Sequence, residues 1–231
     1  MVENLNESCS ICTNSNCILF NLEIDKARIN DSKLEVDYKN HELIFRENKP
    51  SNGVYIVKTG FVKITKSISG DHKQIISLKK PGELFGNLSN KVILKNQNSA
   101  YAVSEAKLCY FPQQVFRDLI NNSIKINNEL LNLLNEEFQN FQNKVYVNNK
   151  FSVKNRVAYS LIFFETYFGQ TNGFLNVILS RKEVAEFSNT SEEQVIRTLS
   201  SLKKDGLISV QNKSIGILDR IKLNNLMLES C

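Results

Sequence analysis

Short runs in which apolar and polar residues alternate, separated by turn residues, fill the chain from about residue 40 to residue 112. Residues 60–66, for example, read Gly-Phe-Val-Lys-Ile-Thr-Lys. The pattern predicts strands at residues 41–46, 53–58, 60–66, 73–78, 99–103 and 107–111. Many short strands at regular spacing favour a small antiparallel roll or barrel. We therefore expect a β-roll domain over residues 21–115.

The pattern changes after Pro112. Residues 113–149 contain no Gly or Pro, and apolar residues recur every three or four positions with Asn, Glu and Gln between them. This spacing predicts one long amphipathic helix, and we assign residues 116–149 to dimerisation. The apolar stripe could pack against its own domain, but a helix of this length is equally suited to pair with its copy in a homodimer. The candidate dimer-interface residues are Ile126, Leu130, Leu134, Phe138, Phe141 and Val145.

Two short helices with capping signals follow in the last third of the chain. Ser180 with Glu183 predicts one capping box, and Thr190 with Glu193 predicts a second. A tight turn joins the two helices, which fits a helix-turn-helix as well as a plain helical hairpin. Residues 207–218 read as a β-hairpin, which turns the prediction into a winged helix. We place the DNA-binding domain at residues 150–231.

The second of these helices would enter the major groove of double-stranded DNA with its N-terminus first. Arg197 can donate two hydrogen bonds to guanine, and Glu193 can accept one from cytosine. These two residues are four positions apart, so they share a helix face and could also form a simple intrahelical ion pair. The candidate DNA-binding residues are Ser191, Glu193, Gln194, Arg197 and Thr198.

Composition narrows the function classes only slightly. The 231 residues include 29 Lys and Arg against 24 Asp and Glu, and the net charge of +5 fits a nucleic-acid binder without requiring one. No apolar run approaches the length of a membrane span, and the N-terminus lacks a signal-peptide pattern, so we expect a cytoplasmic protein without membrane contact. No phosphate-binding loop, His-rich metal motif or nucleophile–base pattern occurs, which argues against an enzyme.

The five cysteines are unusually placed. Cys9, Cys12 and Cys17 crowd into the polar N-terminal segment of residues 1–20, Cys109 stands alone in mid-chain, and Cys231 ends the sequence. In a reducing cytoplasm, such a cluster favours metal binding or redox chemistry over a disulfide framework.

The order of these parts resembles the Crp/Fnr family of bacterial transcription regulators, and the resemblance covers nearly the whole chain. It implies an α+β fold, with an N-terminal β-roll like a cyclic-nucleotide-binding domain, a long dimerisation helix and a C-terminal winged helix-turn-helix. It also implies that Glu193 and Arg197 read bases and that RNA polymerase is a partner. The matching segments are Lys80-Pro81-Gly82-Glu83-Leu84-Phe85-Gly86, Leu179-Ser180-Arg181-Lys182-Glu183-Val184-Ala185, Glu193-Gln194-Val195-Ile196-Arg197 and Lys204-Asp205-Gly206-Leu207-Ile208.

Within this family, the residues that would bind a cyclic nucleotide are altered here. Members that bind one have Gly-Glu for the ribose and Arg-Ser for the cyclic phosphate, whereas this chain has Gly86-Asn87 and Asn98-Ser99. A phosphate without its bidentate Arg loses its strongest contact. Cyclic AMP is therefore not expected as a ligand.

The oxygen-sensing branch of the family holds a [4Fe–4S] cluster, and its ligand pattern resembles Cys9, Cys12, Cys17 and Cys109, although the gap to Cys17 is one residue shorter than in the best-known member. The resemblance implies that oxygen degrades the cluster, weakens the dimer and reduces DNA binding. A zinc site with four Cys ligands, a reversible dithiol switch and cysteines without function remain alternatives. Cys231 is interpreted as a terminal thiol outside this set.

The sequence thus predicts a homodimeric DNA-binding transcription regulator that responds to oxygen or redox state through a [4Fe–4S] cluster, which controls dimerisation and operator binding. Two alternatives stay open. One is a regulator of the same family that senses another small ligand and has no cluster. The other is a zinc- or ligand-binding dimer that does not bind DNA.

Overall fold

The computed structural model describes residues 17, 19, 32–70, 72–88 and 95–228. Cys9, Cys12 and Cys231 lie outside the described residues, as does most of the predicted N-terminal segment. The chain divides into two compact units, one of residues 1–66 and 77–138, the other of residues 67–76 and 139–231. Among the described residues, no helix is both long enough and apolar enough to cross a membrane.

Eight strands form the predicted β-roll. They are β1 (Leu34–Tyr38), β2 (Leu43–Phe45), β3 (Gly53–Thr59), β4 (Val62–Ser69), β5 (His72–Lys79), β6 (Leu84–Gly86), β7 (Ser99–Ala102) and β8 (Ala106–Pro112). They make two four-stranded sheets, with the orders β1-β8-β3-β6 and β2-β7-β4-β5. The six predicted strands coincide with β2, β3, β4, β5, β7 and β8, while β1 and β6 are additional.

The predicted continuous helix over residues 113–149 is wrong at one point, because the chain breaks at Ser123. Helix α1 covers Gln113–Asn122 and helix α2 covers Ile124–Lys150. Ser123 has an extended backbone, and its hydroxyl accepts a hydrogen bond from the N–H of Ile126. The side chain of Asn127 donates to the Ile120 carbonyl at 2.8 Å. These local polar bonds compete with the helical ladder and satisfy groups that the break exposes.

The core of the first unit lies between the sheet of β3, β6 and β8 and the helices that follow it. Val54, Ile56, Leu84 and Phe111 from the strands are buried with apolar residues of the helices, and those residues are Phe116, Ile120, Ile126 and Leu130. The first turns of α2 therefore belong to the packed core of the roll unit. Burial of these side chains is what holds the helix to the strands.

The second unit contains the predicted winged helix-turn-helix. Its elements are α3 (Val153–Phe168), β9 (Gln170–Thr171), β10 (Phe174–Leu175), α4 (Arg181–Ser188), α5 (Glu192–Lys204), β11 (Ile208–Gln211), β12 (Ser214–Ile217) and α6 (Arg220–Leu228). Strands β11 and β12 pair antiparallel, and this hairpin is the wing. The α+β fold with a roll, a long helix and a winged helix-turn-helix is thus confirmed.

Candidate DNA interface and sensor site

Helix α4 is positioned by its own caps. The Ser180 hydroxyl accepts a hydrogen bond from the Glu183 N–H at 3.1 Å, and the Glu183 carboxylate accepts one from the Ser180 N–H at 2.8 Å, which is the predicted capping box. The helix ends at Ser188, and the C-cap Asn189 has a left-handed backbone (φ 52°) that turns the chain sharply. Asn tolerates this conformation better than most residues, so the turn between the two helices has a local chemical cause.

The cap of helix α5 differs by one residue from the prediction. Ser191, and not Thr190, is the N-cap, and its hydroxyl accepts a hydrogen bond from the Gln194 N–H at 3.3 Å. Glu192 and Glu193 occupy the first turn, where carboxylates stabilise the positive end of the helix dipole. Because the Ser191 hydroxyl already caps the helix, its role in the candidate interface is first of all structural.

The faces of α5 separate anchoring residues from exposed ones. Val195, Leu199 and Leu202 are buried in the second unit. Glu193, Gln194, Ile196 and Arg197 are exposed, with Ile196 49% accessible. Three of the five predicted DNA-binding side chains therefore share the exposed, N-terminal part of α5.

Thr198 lies elsewhere. It is only 8% exposed and belongs to the buried side of the helix. Ser200, which the sequence did not single out, is exposed instead, and its hydroxyl donates to the Ile196 carbonyl at 2.8 Å. The alternative reading of Glu193 and Arg197 as an intrahelical ion pair is not realised, since none of the ion pairs among the described residues joins them. Both side chains are exposed and can meet another molecule.

The amide side chain of Gln170 bonds the wing to the body of the second unit. Gln170 donates to the Ile217 carbonyl at 3.1 Å and accepts from the Ile217 N–H at 2.8 Å. At its other end, the hairpin turns through Asn212, which has a positive φ of 53°, and Lys213 is exposed beside it. The wing therefore presents a cation at the tip of a hairpin whose base is held by hydrogen bonds.

The predicted dimer stripe of α2 has two parts. Ile126 and Leu130 are 0% and 8% exposed, because they pack in the core of the roll unit. Leu134, Phe138, Phe141 and Val145 are between 41% and 58% exposed. Apolar side chains on one exposed helix face commonly mark a contact with another molecule, so only the last four of the six predicted residues remain candidates for the dimer interface.

The two described cysteines of the proposed ligand set border the same apolar core. Cys17 and Cys109 are both half-buried and pack against the cluster that contains Ile56, Phe111 and Ile126. In the sheet, Cys109 of β8 lies opposite Glu35 of β1 on one side and opposite Ile56 of β3 on the other.

The carboxylate next to Cys109 is embedded among cations. Glu35 accepts hydrogen bonds from Lys33 at 3.1 Å and from Lys58 at 2.9 Å, and its side chain is 7% exposed. These ammonium groups counter the negative charge of the carboxylate that lies opposite Cys109 in the sheet. Among the described residues, no group of three or more His, Cys, Asp or Glu is arranged to hold a metal ion. Cys9 and Cys12 fall outside that part of the chain.

The positions that bind a cyclic nucleotide in other family members form internal contacts here. The Asn87 N–H donates to the Gly53 carbonyl at 3.2 Å, and the Ser99 hydroxyl accepts from the Glu47 N–H at 2.9 Å.

Lys79 at the end of β5 forms an ion pair with Glu137 of α2, and burial lowers the pKa of Lys79 to about 8. These contacts join polar residues of the roll to each other and to α2.

Two parts of the chain match family models. Residues 35–123 match the cyclic nucleotide-binding domain, and residues 155–226 match the Crp-like helix-turn-helix domain. The first match covers the strands of the roll, and the second covers the winged helix-turn-helix with Glu193 and Arg197.

The relatives carry names that refer to different signals. The Anaerobic regulatory protein of Pasteurella multocida is 25% identical over 225 residues, which are 94% of this chain and 82% of that protein. The CRP-like cAMP-activated global transcriptional regulator of Mycobacterium tuberculosis is 27% identical over 191 residues, 81% of this chain and 85% of that protein. The names of these relatives therefore do not assign one signal to this chain.

A solved structure confirms the arrangement of elements. FixK2 from Bradyrhizobium japonicum superimposes with a TM-score of 0.74 at 22% identity, over 84% of this chain and 96% of that one. At this identity the likeness shows the fold alone. With both domain matches on a roll, a long helix and a winged helix-turn-helix, the chain belongs to the Crp/Fnr family of DNA-binding transcription regulators, whose members are not enzymes.

Proposed function

We propose that this regulator binds operator DNA as a homodimer, and that a [4Fe–4S] cluster held by Cys9, Cys12, Cys17 and Cys109 controls the binding in response to oxygen. One observation carries the proposal. Cys17 and Cys109 pack against the same apolar core as Ile126, in the first turns of α2. Because packed cores transmit displacement, a change at these thiols reaches the helix whose later turns expose the candidate dimer face.

The donor set fits the group. Four thiolates supply the one ligand per iron that a [4Fe–4S] cluster requires. Half-burial of Cys17 and Cys109 limits access of solvent, and Lys33 and Lys58 compensate the carboxylate beside Cys109. When bound, the cluster would supply an oxygen-sensitive link between the N-terminal segment and strand β8. The protein's own part is to hold the thiols in place and to join their surroundings to α2.

DNA reading would fall to the exposed start of α5. Arg197 would donate to guanine, Glu193 would accept from cytosine, and Gln194 would contact a base or a phosphate. Thr198 is buried, so we assign it to packing within the domain. Ile196 is exposed next to Arg197 and can contact a thymine methyl group.

Dimerisation would use Leu134, Phe138, Phe141 and Val145 of α2 against the same residues of a second copy. Their spacing repeats every three or four residues, as a helix pair requires. Regulators of this family typically dimerise, and two copies of α5 would then read two half-sites about one DNA turn apart. RNA polymerase is proposed as a further partner on the family resemblance alone.

The cluster is tested by purifying the protein without oxygen and measuring iron, acid-labile sulfide, zinc and the visible spectrum. We expect iron and sulfide in equal amounts, with a brown colour that air bleaches. Cys109→Ser should lose the iron, and Cys231→Ser is the matched control that should keep it. A colourless protein that contains zinc, or no metal at all, would contradict the cluster.

A second candidate signal rests on a cavity in the roll. A space of about 260 Å³ is lined by Arg46, Lys49, Asn52, Tyr55 and Phe45, among others. Two cations and two aromatic rings that line one cavity fit a small anionic organic ligand. If the anaerobic protein holds no metal, we expect a shift in its melting temperature with such compounds, and Arg46→Ala should abolish that shift.

A further inference from the structure

One arginine outside the reading helix meets both the end of α2 and the helix-turn-helix. Arg156 lies in the first turn of α3. Its Nε donates to the Ser188 carbonyl at 3.1 Å, and its Nη2 donates to the Asn189 carbonyl at 3.1 Å. Both acceptors belong to the end of α4, where carbonyls lack partners in their own helix and the helix dipole is negative.

The same guanidinium also reaches the last turn of α2 and the residue that follows it. Nη1 donates to the Phe151 carbonyl at 3.2 Å and to the Asn148 carbonyl at 3.4 Å. Four carbonyls from two separate segments therefore converge on one planar group. Because the guanidinium donors lie in a rigid plane, the direction of one segment constrains the direction of the other.

A second basic side chain meets the same end of α4. Lys144 of α2 has its Nζ 4.0 Å from the centre of the Phe187 ring. The amino group also donates to the Ile75 carbonyl of β5, in the hairpin segment that belongs to the second unit. Phe187 precedes Ser188 directly, so α2 and α3 hold neighbouring residues of α4.

We propose that Arg156 is a positioning residue for operator recognition: together with Lys144, it fixes the direction of the helix-turn-helix relative to the last turns of α2. The proposal rests on the DNA-binding homodimer proposed above. In such a dimer, the two α2 helices define the axis, and the direction of each helix-turn-helix sets the distance between the two copies of α5. That distance must match half-sites about 34–36 Å apart.

The positioning role of Arg156 predicts a specific defect in DNA binding when this side chain is replaced. If Arg156 sets the direction of α5 but touches no base, its loss should leave the preferred bases of each half-site unchanged. It should instead weaken discrimination between operators whose half-sites are correctly spaced and operators with one or two base pairs inserted or removed. A residue needed only for folding would lower binding to all operators in parallel.

The test uses duplexes selected from a random pool by the wild-type dimer, with their half-site spacing varied one base pair at a time. For the wild type, we expect affinity to fall by about tenfold per added base pair, equivalent to about 1.4 kcal/mol. Arg156→Lys keeps the positive charge but loses the planar guanidinium. For this variant, operator affinity should fall by only about threefold per added base pair, equivalent to about 0.6 kcal/mol. Lys222→Gln removes an exposed cation whose ion pair, with Asp219, is local to the start of α6, and it is the matched control.

Several results would overturn the proposal. If folded Arg156→Lys keeps the full wild-type dependence on spacing, Arg156 does not position the domain. If that variant fails to fold, Lys144→Met decides, because it removes the second of the two proposed positioning contacts. An unchanged dependence on spacing would then contradict the joint role of Arg156 and Lys144. A wild type that binds no DNA, or shows no dependence on spacing, would instead refute the proposed function.

Discussion

The winged helix-turn-helix and the cysteine site are held together by different kinds of contact. In the former, the decisive contacts are local, as in the Ser180–Glu183 capping box, the Ser191 cap and the β11–β12 hairpin. In the latter, Cys17 and Cys109 come from distant parts of the chain and meet only on a shared core. The DNA-binding domain can thus keep its shape through local contacts, whereas the proposed sensor would depend on packing between distant parts of the chain.

The largest effect is expected in α5, the helix proposed to read the bases. Arg197→Ala should reduce specific DNA binding by about 1–3 kcal/mol for each half-site, because a bidentate contact to guanine is lost. Glu193→Ala should relax base preference with a smaller loss of affinity. Operator selection followed by gel shift measures both effects, with the exposed Glu192→Ala as the control. Unchanged sequence preference in both variants would refute the assignment.

The next largest effect is expected on dimerisation, when the exposed half of the α2 stripe is changed. Phe141→Glu would bury an unpaired carboxylate between two copies, at a cost of about 3–5 kcal/mol. We expect a monomer in sedimentation velocity and weak operator binding. Gln142→Glu, a neighbouring exposed position, should remain dimeric. If Phe141→Glu sediments as the wild type does, the dimer uses another surface.

The buried half of the same stripe should behave differently. Ile126→Ala should lower the free energy of unfolding by about 2–5 kcal/mol, because the side chain is fully buried in the roll core. Urea denaturation monitored by circular dichroism measures this loss. Dimer affinity of the folded fraction should change little. A large loss of dimerisation with unchanged stability would show that Ile126 faces the partner after all.

The smallest predicted effect concerns pH. Burial lowers the pKa of Lys144 from 10.5 to about 7, so the unfolded chain binds more protons than the folded chain between these values. The free energy of unfolding should therefore gain a contribution from Lys144 as the pH rises above 7. Lys144→Met should remove that contribution, and urea midpoints of both proteins at neutral and mildly alkaline pH measure the difference. If the wild type and Lys144→Met show the same dependence of stability on pH, burial does not lower the pKa of Lys144.

The parts of the fold that were predictable are those with local signals. Alternation identified six strands, and the Ser180 capping box located α4. The break at Ser123 was missed because no Gly or Pro marks it, and only the side-chain bonds of Ser123 and Asn127 reveal it.

The division of the α2 stripe could not be predicted either, because periodicity shows that residues share a face but not what covers it. Ile126 and Phe141 look alike in sequence, yet one is covered by the roll and the other is exposed. The contacts of Arg156 could not be predicted from the sequence, because its four acceptors are backbone carbonyls, which every residue has. Among the candidate DNA-binding residues, Glu193 and Arg197 lie on the exposed face of α5 as expected, whereas Thr198 is buried.

The central claim is that oxygen controls DNA binding through the four cysteines. The most direct measurement is the operator affinity of one anaerobic preparation by fluorescence anisotropy, before and after exposure to air, with iron measured in the same samples. The account predicts tight binding with iron present and a loss of binding as the iron is released, with Cys109→Ser weak throughout and Cys231→Ser like the wild type. Equal affinity before and after air, or tight binding by iron-free Cys109→Ser, would contradict it.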